Sequence, residues 1–102
     1  MENIVFKELA QDKEVRQRLI TLKSMQKDEK NREAVNGAIC QQWRELSGLL
    51  NHEDAKVRKN AALLLGEAGV QDSVDALGQA YVSENTLFVR PAYLTALGQL
   101  DY

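Results

Sequence analysis

"DAKVRKNAALLLGEAG" (Asp54–Gly69) and "TLFVRPAYLTALGQL" (Thr86–Leu100) run in one register. Subtracting 32 sets Val89 on Val57, Arg90 on Arg58, Leu97 on Leu65 and Gly98 on Gly66. A Val-Arg pair followed two helical turns later by a Leu-Gly pair therefore occurs twice. A unit of this size cannot bury its own apolar face, so neighbouring units must stack and share a core. The repeat predicts that Val57 and Val89 dock inward at a helix start and that Leu65 and Leu97 pack on the same side further on. Gly66 and Gly98 fall near the helix end, where a missing side chain lets a neighbouring helix approach.

Working outward, no segment alternates apolar and polar residues for the length of a strand, and the 3.6-residue period dominates. A first helix is expected over Asn3 to Ala10, burying Ile4, Val5 and Leu9. Asp12 is placed to cap a second, running to about Met25, with Val15, Leu19 and Leu22 on one face. After the apolar-free "QKDEKN", a long third helix is expected from Asn31 to Leu50. Val35, Ile39, Trp43, Leu46 and Leu50 form its stripe, widened by Cys40 and Leu49. Asp54 caps a fourth helix, through Ala68, and Gly69 can take the left-handed conformation that closes it. "DSVD" (Asp72–Asp75) is a capping-box-like start for a fifth, carrying Val74, Leu77 and Tyr81. Thr86 caps the last, through Leu100. Pro91, at about its fifth position, would bend rather than break it.

The stretch from Asn51 to Leu100 resembles a HEAT repeat. It is most similar to the short bacterial version also found in phycobilin lyases, with an acidic residue, Val-Arg, an alanine-rich helix and Leu-Gly. "DKEVRQRLITLKS" resembles a degenerate earlier copy, setting Asp12, Val15 and Arg16 on Asp54, Val57 and Arg58. The resemblance implies an all-α fold, a right-handed α-α superhelix of the HEAT or armadillo type, with about five to six helices. It implies one domain over residues 1–102, divided into a degenerate repeat (1–50), a repeat (51–82) and a truncated repeat (83–102). It also implies that the acidic residue and the arginine link adjacent repeats, which carries over to Asp54 with Arg58, and to Arg90. Thr86 stands where an acid is expected, which leaves the second link open. Each arginine has two readings, a repeat-junction clamp or a ligand contact.

The chain has 102 residues, 44% hydrophobic and 27% charged, an ordinary globular composition for one domain. Its net charge of −2 argues against a dedicated nucleic-acid binder. The charge is uneven, with 12 of the 13 Lys/Arg in residues 1–60. Lys13, Arg16, Lys23, Lys27, Lys30 and Arg32 read either as a solvated face interleaved with acids or as contacts to a phosphate backbone. One cysteine and one histidine offer no zinc cluster. Cys40 reads as a small buried hydrophobe, and His52 as a solvated residue of the "NHED" turn. No phosphate-loop or dinucleotide motif occurs, and the adjacent carboxylates sit at polar turns. No cofactor, metal or catalytic residue is expected. The longest uninterrupted apolar run, Ala61–Leu65, is too short for a membrane span, so a cytoplasmic location is the expectation.

These observations favour a non-catalytic module that binds another protein. A second reading rests on "DAKVRKNAALLLGEA" and "TLFVRPAYLTALGQLD", which are similar to HEAT-type stretches preceding bacterial RNA-modifying methyltransferases. It makes this the substrate-positioning region of a larger enzyme, with RNA as partner. A chromophore lyase is a third option, on the repeat alone. At the chain's end, Val89, Tyr93, Ala96, Leu97 and Leu100 supply apolar residues on more than one face. They predict either a fragment of a longer array or a homodimer through the last helix.

Overall fold

Asp54 shows how the chain is cut into helices. Its backbone is extended, and its Oδ1 accepts the Lys56 amide at 2.9 Å, satisfying a donor that a helix start leaves free. At the other end of this helix Gly69 takes φ 74°, the Gly69 amide bonds the Gly66 carbonyl, and the Val70 amide bonds that of Leu65. These two bonds make the paired helix-ending motif that glycine permits. The computed structural model describes residues 4–100. Its α-helices are α1 (Val15–Lys27), α2 (Arg32–Gln41), α3 (Trp43–Gly48), α4 (Ala55–Glu67), α5 (Val74–Ser83) and α6 (Arg90–Gln99). Among the described residues there is no strand, and no helix is long and apolar enough to cross a membrane.

Helix α4 packs between α1 and α6, and these three make one layer. In the other, α5 meets the turn Leu49–Asn51 that follows α3, and α3 meets the turn Gln71–Ser73 that precedes α5. The molecule measures 38 × 32 × 20 Å. Its thinnest extent is that of two helices packed about 10 Å apart. The fold is thus a two-layer α-α superhelix. Its core runs without interruption from Leu19 and Ile39 through Leu46, Val57, Leu64 and Leu65 to Leu77, Val89 and Tyr93, all fully buried.

Several local expectations do not hold, each for a physical reason. No helix runs up to Ala10, because Glu8 takes a left-handed φ of 63° and only a 3-10 turn, Leu9–Gln11, follows. Asn3 lies outside the described residues. Phe6 is buried while Val5 is exposed. The long third helix is broken at Gln42, whose side chain turns to the N-terminal segment. It accepts the Phe6 amide at 2.8 Å and donates to the Ile4 carbonyl at 2.6 Å. Asp12 bonds the Glu14 amide rather than the helix proper, which begins at Val15. No side chain caps α5; a 3-10 turn leads into it, and the Ser73 hydroxyl donates to the Val70 carbonyl at 2.7 Å. Nor does Thr86 cap α6, which starts at Arg90. Pro91 therefore falls in the first turn, where its missing N–H costs nothing.

Candidate functional site

Arg16, Arg58 and Arg90 share one place in the repeat pattern and differ in what they bond. Arg16, on α1, reaches Asp54 at the start of α4, with Nε and Nη2 at 2.9 and 2.7 Å from Oδ2. Burial opposes the charge on Asp54. The Arg16 guanidinium and the Lys56 amide outweigh it, holding the carboxyl below its ordinary range. Arg58, on α4, forks onto Glu84, with Nε–Oε1 and Nη2–Oε2 both 2.9 Å, and Nη2 also reaches Thr86 Oγ1 at 3.3 Å. Its Nη1 bonds the His52 carbonyl at 2.8 Å and that of Glu53 at 3.1 Å. The buried Tyr93 hydroxyl donates to Glu84 Oε1 at 2.9 Å. The Arg58 fork is the main force that brings the Glu84 carboxyl down to about 2, against burial and with help from the Thr86 amide and Tyr93. Burial, reinforced by the carboxylate, pushes the Tyr93 phenol above its usual range, so it remains a neutral donor.

Glu84 is the residue the sequence does not reveal. The register puts Thr86 at the acidic position, yet the carboxylate comes from two residues earlier. Asp54 and Arg58 belong to different links and do not pair with each other. The only signal in the sequence is that Glu84 is the one acid between Asp75 and Arg90.

Arg90, on α6, repeats half of the Arg58 arrangement. Its Nη1 bonds the carbonyl six residues back, Glu84, at 2.9 Å, just as Arg58 Nη1 bonds His52. It also bonds the Tyr81 carbonyl and stacks 4.3 Å over that ring. Among the described residues no carboxylate pairs with it. The neighbours along this helix differ in the same sense. Arg58, Ala62 and Gly66 form an i, i+4, i+8 stripe on α4, on which Ala62 is fully buried. A Cβ on Gly66 would come within 2.5 Å of the Ala96 Cα. The matching stripe on α6 is Arg90, Leu94 and Gly98. Leu94 is 54% exposed, and a Cβ on Gly98 would meet open space. Among the described residues, close helix approach at Gly98 is therefore absent, unlike at Gly66. Val89, Tyr93, Ala96, Leu97 and Leu100 are all buried. The apolar side chains exposed at this end are instead Leu94, Val82, Leu87 and Phe88.

The structure divides the basic residues suspected of phosphate contact. Arg16 is paired with Asp54, and Arg32 bonds the Gln26 and Lys27 carbonyls at the end of α1. Lys13 and Lys30 lie outside the helices on exposed turns. Lys23 and Lys27 line a groove of about 460 Å³ between α1 and α4, facing Lys56 and Lys59, which sequence reasoning had left aside. Cys40 proves exposed, with its Sγ 3.5 Å from the Ala68 carbonyl. His52 uses Nδ1 to accept the Asp54 amide. Among the described residues no group of His, Cys, Asp and Glu could hold a metal ion.

Paired helices stacked through recurring arginine junctions define an α-solenoid. Within that class the chain belongs to the HEAT repeats, whose family profile matches residues 45–102, more than half its length. No curated protein and no solved structure matches it.

Proposed function

We propose that this chain is a non-catalytic scaffold that docks a helix of another protein along the outer stripe of α6. HEAT repeats serve generally as protein-interaction scaffolds. One observation supports this surface in particular. Arg90, Leu94 and Gly98 copy the stripe Arg58, Ala62 and Gly66, which is covered by a helix with a carboxylate at its approach. A ready arginine, an exposed leucine and an open glycine suit a second helix of that kind, and Phe88 and Leu87 extend the apolar area. A photo-crosslinking residue at position 94, with one at exposed Glu33 as control, tests the reading in extracts of the source cells. A discrete adduct at 94 that disappears with Arg90→Ala is the expected result. No adduct, or the same pattern from both positions, rejects the reading. Sedimentation of the purified chain over a range of concentrations shows whether the docked helix belongs to a second copy.

A further inference from the structure

The lysine groove between α1 and α4 lies away from the α6 stripe. Lys23 and Lys27 are one turn apart on α1, and Lys56 and Lys59 one turn apart on α4, so two rows of ammonium groups flank one channel. Among the described residues none of the four pairs with a carboxylate, and no acid lines the channel. Lys23 is half-buried, and its side chain donates a hydrogen bond of 3.2 Å to the amide oxygen of the buried Asn60. Burial, followed by repulsion from Lys59 and Lys27, lowers its pKa. Such crowding of like charges opposes folding. Perturbed groups of this kind cluster at functional sites.

The chemistry of the channel narrows the ligand. It contains no arginine to fork onto a phosphate and no aromatic ring to stack a base. It does present Ile20, a 45% exposed isoleucine that lines the channel one turn before Lys23 on α1. Lysine rows beside an apolar contact match an amphipathic helix with carboxylates along its edges and an aliphatic side chain between them. We infer that the α1–α4 groove binds an acidic amphipathic segment of a protein partner, with Lys23, Lys27, Lys56 and Lys59 meeting carboxylates and Ile20 the apolar anchor. The inference rests on the scaffold reading but concerns a different surface.

Fluorescence anisotropy on the full chain tests it with three defined probes. One is a peptide of about three helical turns with glutamates flanking a leucine stripe. The second is the same composition scrambled, and the third is a single-stranded RNA of equal charge. The amphipathic peptide should bind best. K23Q/K59Q should weaken it by about tenfold near 0.1 M salt, whereas K13Q/K30Q, with equal charge loss on outlying turns, should change it less than about twofold. Ile20→Ser should weaken the amphipathic peptide and leave the scrambled one unchanged. The inference is overturned if RNA binds as tightly as the amphipathic peptide, if the scrambled peptide does so, if the two double variants are equivalent, or if no probe binds. In each of these cases a persisting Arg90-dependent adduct at position 94 confines the failure to the groove, and its absence carries the failure to the scaffold reading as well.

Discussion

Arg58 and Arg90 occupy the same place in the same sequence pattern, and they perform one task alike and one differently. Each fixes the loop before its helix by bonding the carbonyl six residues back. Only Arg58 goes on to fork onto a carboxylate from the next unit. The same split separates Gly66, pressed against Ala96, from Gly98, which faces open space. Identical letters thus repeat the local job, which is set by the loop just before each helix. The junction job depends on what the neighbouring unit brings.

The hardest test of this contrast is to remove the carboxylate. Glu84→Ala strands Arg58 and Tyr93 without their shared partner, and losing one member of a buried pair costs about 3–5 kcal/mol. Urea denaturation should show that loss, with Arg90→Ala costing far less. The same carboxyl makes a pH prediction. Glu84 protonates near 2 in the folded chain, against an ordinary value of 4.5. Between these values the unfolded chain binds more protons. The stabilisation is therefore complete above pH 4.5 and is lost as pH falls towards 2. A shift of this size corresponds to about 3 kcal/mol. Thermal melts across that window should show the drop, and Glu84→Gln should flatten it.

A gentler pair of changes probes the glycines. Gly66→Ala must push α6 away from α4, because the contact is with backbone, and should destabilise by about 1–3 kcal/mol. Gly98→Ala meets no neighbour and should stabilise by up to about 1 kcal/mol through helix propensity. Equal effects at the two positions would dissolve the contrast.

Arg58→Lys keeps the charge but loses the fork, and should cost about 1–2 kcal/mol, whereas Arg90→Lys should stay within about 0.5 kcal/mol. A modest effect is expected at Asp54. There Asp54→Asn keeps the bond to the Lys56 amide and surrenders only a partly exposed ion pair, worth up to about 1 kcal/mol. Asp54→Ala loses the cap as well, about 1 kcal/mol more. If the two variants melt together, charge at the junction outweighs capping.

The register of 32 residues was enough to place α4 and α6 and to call for stacking, because it records packing that recurs. It also marked Asp54 as a cap and Gly69 as a helix end, both of which follow from local backbone chemistry. What escaped were choices made by distant residues. Gln42 breaks a helix whose apolar stripe is continuous, because an amide in that place satisfies Ile4 and Phe6 across 38 and 36 residues. The groove pairs Lys23 with Lys59, which are remote in sequence and meet only because α1 lies on α4. Cys40 widens the stripe by spacing, yet α2 turns Val35 and Ile39 inward and leaves Cys40 exposed.

The Gln42 clamp has a consequence for how the molecule opens. One carboxamide holds the Phe6 amide and the Ile4 carbonyl, so neither bond can survive release of that side chain. The segment that buries Phe6 and the corner between α2 and α3 therefore share a single latch. In native-state hydrogen exchange the Phe6 amide should report the free energy of opening that latch, below the global value measured at core amides such as Leu64. Gln42→Ala would turn this slow clock into a fast one while leaving the exchange of α4 at its original pace.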